Sequence, residues 1–131
     1  MNSVFWSFLA LGAEEKVDLW LGNDWTSLPL VARLANASGV PYVYDTHELC
    51  ADEFHEDIRW RFIQRPVRMH TERTFIRGAR VVSTVSQKIA ERLADMHQLH
   101  NVPLVVRSTP RYQEYQFRPT GSSIRVLYHG A

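Results

Sequence analysis

The sequence predicts an α/β fold in which helices cover a doubly wound parallel sheet. Short segments of β-branched and aromatic residues alternate along the chain with longer segments whose apolar residues have helical spacing. Strands that alternate with helices in this way are typical of parallel sheets. The stretch 17–44 also has the length of one strand, helix and strand unit, which supports the same conclusion.

The first half of the chain is predicted to contain a helix followed by two strands, over residues 5–13, 17–21 and 40–44. A long helix is predicted between the two strands, and its residues are apolar on nearly every face. Thr26 or Ser27 is placed to cap this helix with a hydroxyl oxygen. Pro29 fits its first turn, where a missing N–H costs nothing, and Gly39 fits the position just past its end.

The second half is predicted to form a short helical segment, a helix, a strand, a helix and a strand, over residues 58–64, 66–78, 81–85, 87–97 and 104–106. Pro66 is expected to begin the longer helix, with Val67 and Phe75 on its inward face. Ser86 is placed to cap the helix that follows the third strand.

Three regions are expected along the chain, because residues 107–123 carry prolines and a glycine without any apolar period. Residues 1–106 are predicted to form one domain, 107–123 a linker, and 124–131 the start of a second domain with a strand over 124–128. A strand without a covering helix would be an unprotected edge, so this domain is expected to be incomplete.

Composition narrows the class of protein. The chain has 131 residues, a formal net charge of +1 and a single cysteine. This charge gives no reason to expect nucleic-acid binding, which favours strongly basic domains. The lone Cys50 excludes an internal disulfide and fits a reducing compartment. No signal peptide and no membrane span are expected, so a cytoplasmic location is predicted.

Charge is distributed unevenly in the middle of the chain. The stretch 45–57 carries six acidic residues and no Lys or Arg, whereas 59–80 carries seven arginines and the single acid Glu72. Aromatic and aliphatic residues such as Trp60 and Ile63 lie among these arginines. Such a face could dock peripherally on an anionic membrane, or the acidic and basic stretches could neutralise each other.

The candidate active site lies where the second predicted strand ends. In an open parallel sheet, ligands bind beyond the carboxyl ends of the strands. Asp45, His47 and Glu48 fall at that position, and the imidazole of His47 could donate to a ligand hydroxyl or exchange a proton. Asp24 and Trp25 follow the neighbouring strand and should lie at the same edge. The structural alternatives are a loop hydrogen bond for His47 and a helix cap for Asp24.

Two other chemistries are weaker candidates. A metal site would draw on acidic, histidine and cysteine side chains in one stretch, but neither HExxH nor a paired CxxC occurs. That potential set is Asp45, His47, Glu48, Cys50, Asp52 and His55. Cys50 itself has no recognisable base near it in the sequence. No glycine-rich phosphate loop is present either, and no cofactor or metal is expected.

Four segments in order resemble the N-terminal domain of family 4 glycosyltransferases, and together they span most of the chain. They are 17–25 (VDLWLGNDW), 42–48 (YVYDTHE), 72–86, which ends in Ser-Thr-Val-Ser, and 105–110 (VVRSTP). The resemblance implies a Rossmann-like sheet that forms an incomplete N-terminal half of a two-domain GT-B enzyme. Asn23 and Ser108 depart from the pattern, where histidine and asparagine are more common.

This resemblance implies transfer of a sugar from a nucleotide-sugar donor, with retention of configuration and without a metal. His47 would face the donor sugar in the cleft, and Asp24 matches an acidic position on the acceptor side. The acceptor could be a glycan, a lipid-linked molecule or a small molecule. Donor binding would rest on a second domain, so the 131-residue chain alone is expected to be inactive.

Two alternatives to the transferase remain open from the residues alone. One is a standalone α/β module that binds a sugar or a protein without catalysis, which the lack of a phosphate loop favours. The other is a metal-dependent hydrolase built on the stretch 45–55.

Overall fold

A computed structural model describes residues 3–54, 56–117, 119, 121–124 and 126. In this part of the chain helices and strands alternate. The elements are α1 (Ser3–Ala13), β1 (Trp20–Asn23), α2 (Asp24–Ser38), β2 (Tyr42–Thr46), α3 (Arg65–Phe75), β3 (Val81–Thr84), α4 (Gln87–His97) and β4 (Leu104–Val105). A π-helical turn, Trp60–Gln64, leads directly into α3, and a 3₁₀ turn, Ile76–Gly78, follows it.

The four strands form one sheet in the order β1-β2-β3-β4, and every neighbouring pair is parallel. The predicted Rossmann-like α/β class is therefore confirmed. Because the strands are parallel and in register, their carboxyl ends meet at one edge. Asn23, Asp45, Ser83 and Leu104 form the row of paired residues at that edge.

The crossover helices pack on the same face of the sheet, as they do in each half of a doubly wound fold. Gly22 faces α2, where an added Cβ would come 2.7 Å from a methyl of Val31. Tyr44, the register partner of Gly22, packs with Val31 and with Leu93 of α4 in one core cluster. On the opposite face Leu21 is more than half exposed.

Both of the first strands begin two to three residues later than the sequence predicts. Residues 17–19 precede β1, and Val40 and Pro41 precede β2. Pro41 has no N–H for the ladder, and its carbonyl instead accepts the N–H of Trp20 at 3.1 Å. Gly22 lies inside β1, and the absence of a side chain there lets α2 approach the strand.

Helix α2 begins earlier than predicted, so its capping differs. Asn23 occupies the cap position and Pro29 lies in the second turn rather than the first. The hydroxyl of Ser27 donates to the carbonyls of Asn23 and Asp24 at 2.5 and 3.0 Å instead of capping the helix. The expected ending is confirmed, because Gly39 is left-handed at φ 72° and its N–H binds the Ala35 carbonyl.

The segment before α3 does not break at Pro66. Arg65 donates its N–H to the carbonyl of Trp60, five residues back, and the π-helical turn runs straight into α3. Proline cannot donate to the carbonyl four residues earlier, and the wider turn accommodates that loss. The inward face of α3 is confirmed for Phe75, which packs against the core cluster, but not for Val67, which is exposed; the fully buried side chain of this helix is Glu72.

Helix α4 agrees with its sequence signals. The hydroxyl of Ser86 accepts the N–H of Ile89 at 3.3 Å, and Ala90 and Leu93 are buried on the predicted face. After β4, residues 106–117 contain neither helix nor strand. The linker over 107–123 stays a prediction. The strand expected over 124–128 falls largely outside the described residues.

Candidate active site at the carboxyl edge of the sheet

The exit of β2 brings the predicted catalytic histidine beside a carboxylate. His47 lies two residues beyond Asp45, and its Nε2 is 3.4 Å from Asp45 Oδ2. The other oxygen of Asp45 accepts the hydroxyl of Ser83, on β3, at 2.5 Å. One carboxylate thus links two neighbouring strands and can orient the imidazole.

Exposure distinguishes the two groups of this pair. The side chain of His47 is 62% exposed, whereas that of Asp45 is 27% exposed and accepts a hydrogen bond from Ser83. An accessible imidazole next to a fixed acceptor can form a hydrogen bond with a ligand hydroxyl or stabilise a charge that develops on the ligand. Because Ser83 donates to Asp45 and not to His47, the three groups do not form a serine nucleophile with its base.

Asp24 reaches the same edge from β1. It follows Asn23, which is paired with Asp45, so Asp24 and His47 lie beyond adjacent strand ends. Asp24 has a positive φ of 66°, and its Oδ1 accepts the N–H of Trp25 at 2.6 Å. Left-handed backbone is costly for a residue with a side chain, and such positions concentrate at functional sites.

Trp25 has a role that the sequence did not reveal. The guanidinium of Arg68, on α3, lies 5.0 Å from the centre of the Trp25 ring. The same guanidinium lies 6.0 Å from Phe54 and 5.6 Å from Trp60, and it forms an ion pair with Glu53. Trp25 therefore belongs to a cation–π cluster that joins α2 to α3.

Glu48, the remaining predicted site residue, has an exposed side chain. Its backbone carbonyl accepts the hydroxyl of Thr46 at 2.6 Å, which tightens the turn after β2. Its carboxylate thus faces solvent at the same edge as His47.

The segment after this turn is fastened to α3 and α4 at four consecutive positions. Cys50, Ala51, Asp52 and Glu53 contact Glu72, Arg65, Arg92 and Arg68, in that order. Two of these arginines, Arg65 and Arg68, belong to the basic stretch 59–80. Mutual neutralisation of the acidic and basic stretches is thus confirmed for Arg68, while Arg59 and Arg61 remain exposed.

A buried polar cluster lies beneath the loop, and no motif in the sequence predicts it. Glu72 is fully buried, and its carboxylate binds Tyr44 at 2.9 Å, Cys50 at 3.3 Å and His97 at 2.9 Å. Burial and the nearby charge of Glu72 raise the pKa of the Cys50 thiol and of the Tyr44 phenol above their ordinary values. The one available signal was an acid alone among arginines.

The residues of the hypothetical metal site do not converge. Cys50 points into the core at Glu72, whereas Asp52 forms an ion pair with Arg92 at 2.7 Å. His55 lies outside the described residues. Within the described part of the chain, no group of three or more histidine, cysteine, aspartate or glutamate side chains could hold a metal ion.

Two cavities lie away from this edge. One of about 670 Å³ is lined by residues around the amino-terminal ends of β3 and β4, including Arg80 and His100. The other, of about 610 Å³, lies between the end of α2 and the end of α3. At the candidate site His47 and Glu48 are exposed, so these two residues lie at an open edge of the sheet. Among the helices that the structure describes, none is long and apolar enough to cross a membrane.

The parallel sheet with its crossover helices defines a Rossmann-like domain, and a histidine and carboxylates lie at its carboxyl edge, where ligands bind in such folds. The family model described as "Glycosyl transferase 4-like domain" matches residues 3–110. The chain therefore belongs to this glycosyltransferase family, and the resemblance noted in the sequence is confirmed. No curated protein and no solved structure gave a significant match.

Proposed function

We propose that this chain forms the acceptor side of a glycosyltransferase that moves a sugar from a nucleotide-sugar donor with retention of configuration. The observation that carries the proposal is His47, exposed at the exit of β2 and held beside Asp45, in a chain that belongs to a glycosyltransferase family. In this role His47 orients the donor sugar and donates to it, and it is not the nucleophile.

The other polar groups at the edge would receive the acceptor. Asp24, Asp45 and Glu48 present carboxylates near His47, and Trp25 supports this side of the site through Arg68. Carboxylates suit the hydroxyl groups of a glycan, of a lipid-linked molecule or of a small acceptor. The departing diphosphate would be met by basic side chains and helix N-termini of a second domain.

Donor binding by a second domain is part of the proposal. We expect residues 107–123 to link the two domains and 124–131 to begin the second one. The 131-residue chain alone should then transfer no sugar, because the binding energy for the donor lies elsewhere. No metal takes part in this scheme.

The test uses the natural full-length protein with a panel of nucleotide-sugars. Transfer should yield a product whose anomeric configuration, read by NMR, matches that of the donor. His47→Ala should lower turnover by about 100-fold or more. His100→Ala, an exposed histidine near the opposite edge, is the matched control and should leave turnover unchanged.

Unchanged turnover in His47→Ala would remove this residue from the site, and an inverted product would refute retention. Donor binding without any transfer, in wild type, would favour the non-catalytic binding module instead.

Peripheral membrane contact is a second proposal, and an exposed apolar surface favours it. Phe62 is 76% exposed on the π-helical turn, and Ile58, Ile63 and Val67 are also more than half exposed. We name these four residues the apolar patch. Exposed arginines Arg59 and Arg61 flank it, so an anionic lipid surface on the cytoplasmic side fits both its apolar and its charged parts.

Sedimentation with phosphatidylcholine vesicles, with and without phosphatidylglycerol, tests this contact. We expect binding only with the anionic lipid, and a loss of about tenfold in Phe62→Ser. Val102→Ser, an exposed apolar residue away from the patch, should bind like wild type. Equal binding by both variants would refute docking through the apolar patch.

A further inference from the structure

Glu72 stands at the centre of contacts that hold the loop after His47. The loop residue Cys50, three positions beyond His47, directs its thiol at Glu72 Oε2 at 3.3 Å. Tyr44, on the strand that leads to His47, donates its hydroxyl to Glu72 Oε1 at 2.9 Å. One carboxylate therefore holds the chain on both sides of the histidine.

We call Glu72 with its partners Tyr44, Cys50 and His97 the anchor. Glu72 and Tyr44 are fully buried, and His97 Nε2 of α4 lies 2.9 Å from the same oxygen that accepts the Cys50 thiol. A buried carboxylate with three partners has little freedom to move, because any shift would leave polar groups unsatisfied. Glu72 thus ties β2, α3, α4 and the loop together.

His47, in contrast, has little support of its own. Its imidazole is mostly exposed, and its ion-pair contact with Asp45 is 3.4 Å long. The backbone that carries it is held by contacts of the residues before and after it: Thr46 donates its hydroxyl to the Glu48 carbonyl, and Tyr44 and Cys50 both contact Glu72. Reacting groups that are misplaced by about 1 Å can lose about 100-fold in rate.

We propose that Glu72 is a positioning residue for His47, acting by fixing Tyr44 and Cys50 on either side of the histidine. This inference rests on the proposed function, in which His47 orients the donor sugar. Arg92, which holds Asp52 at 2.7 Å, extends the same anchor to the surface of α4.

A double-mutant cycle in the natural full-length protein tests the inference. Glu72→Gln keeps the size of the side chain but replaces one acceptor oxygen with an NH2 donor, so at least one of the partners Tyr44, Cys50 and His97 loses its acceptor. We expect it to lower kcat by about tenfold or more while KM for the donor changes little. In the His47→Ala background the same substitution should have no further effect on kcat.

Two milder cycles apply if Glu72→Gln does not fold. Cys50→Ala removes the thiol donor and should lower kcat, whereas Cys50→Ser keeps a donor and should restore most of the loss. Arg92 is an exposed residue of α4, and Arg92→Ala removes its ion pair with Asp52. The matched control is Lys88→Ala, on the same helix, because Lys88 pairs with Glu91 instead. Each effect should vanish in the His47→Ala background.

The outcomes separate this inference from the proposed function. If His47→Ala leaves turnover unchanged, the proposed role of His47 fails, and the positioning role fails with it. If His47→Ala lowers turnover but the Glu72, Cys50 and Arg92 substitutions lower kcat equally with and without His47, only the positioning role is overturned. A loss of thermal stability with unchanged kcat in these variants would likewise show that the anchor is purely structural.

Discussion

Alternate residues of β2 carry polar groups into two different environments. Asp45 and, just past the strand, His47 lie at the carboxyl edge, where side chains are partly or mostly exposed. Tyr44 points to the other face, where Glu72, Cys50 and His97 are buried around it. The exposed groups are accessible to a ligand. The buried groups, apart from Nδ1 of His97, are hydrogen-bonded to one another and hold the backbone in place.

This difference predicts which residues should affect stability: substitution of the buried groups should lower it, whereas substitution of the exposed groups should leave it almost unchanged. An exposed polar side chain contributes little to folding, because water replaces its contacts. A buried carboxylate with three partners contributes much, because its removal leaves donors without acceptors. Substitutions of buried and exposed groups should therefore differ in their effect on the free energy of unfolding.

Glu72→Ala should lower the free energy of unfolding by about 3–5 kcal/mol, since it leaves Tyr44, Cys50 and His97 without their acceptor. Urea denaturation monitored by circular dichroism measures the effect. Glu48→Ala, an exposed acid at the site edge, is the control and should change the free energy by less than about 0.5 kcal/mol. Similar values for the two variants would contradict the proposed division.

Arg68→Ala should lower the free energy of unfolding by about 2 kcal/mol. The Arg68 side chain is only 12% exposed. The substitution removes the contacts of its guanidinium with three aromatic rings and its ion pair with Glu53. Arg59→Ala, an exposed arginine of the same basic stretch, should have almost no effect. Tryptophan fluorescence should also shift in Arg68→Ala alone, because Trp25 and Trp60 flank the guanidinium.

Alkaline pH should destabilise the buried cluster. The pKa values of Cys50 and Tyr44 are raised by burial and by the charge of Glu72, so the folded state keeps protons that the unfolded state loses above its ordinary values of 9.0 and 10.0. The stability that the protonated Cys50 and Tyr44 contribute is fully present below pH 9, and it declines as pH rises toward the folded pKa values. The decline reaches at most about 1.4 kcal/mol per pH unit for each group.

Cys50→Ser isolates the thiol part of this effect, since a hydroxyl does not ionise in this range. Wild type measured under reducing conditions should lose stability relative to Cys50→Ser between pH 8 and pH 10. Parallel pH profiles would show that the Cys50 thiol ionises equally in both states, contrary to its burial.

His47→Ala should change the free energy of unfolding by less than about 0.5 kcal/mol, since its side chain is mostly in solvent. Thermal denaturation of wild type and variant gives the comparison. A large destabilisation would show that His47 is a structural residue of the loop, and any loss of turnover could then not be assigned to the site.

The order of the elements and the position of His47 were more predictable from the sequence than the exact strand bounds or the contacts beneath the site. The order of strands and helices follows from the alternation of apolar periods, and it places His47 just past β2, although β2 continues beyond its apolar run through Asp45 and Thr46. The bounds of β1 and β2 were wrong by two to three residues, since pairing across the sheet decides which residues join the ladder. Trp20 pairs with Tyr42 because Pro41 offers only its carbonyl.

The anchor on Glu72 could not be read from the chain. Its partners lie 22, 25 and 28 residues away in sequence, and no spacing rule connects a cysteine in a loop, a tyrosine on a strand and a histidine at a helix end. The same holds for Arg68, whose aromatic partners come from α2, the loop and the π-helical turn. The uneven charge distribution indicated that the acidic and basic stretches could form ion pairs, but it did not indicate which residues would pair.

The sequence by itself determined the α/β class, the family, the helix ends at Gly39 and Ser86, and the placement of His47 and Asp45 at one edge. These features depend on local periodicity and on residues close together in the chain. Only the tertiary structure decided that Ser83 holds Asp45, that Trp25 packs under Arg68, and that Glu72 is buried at the centre of the polar cluster. Those contacts join distant segments, and burial, which gives them their strength, exists only once the sheet and helices have packed.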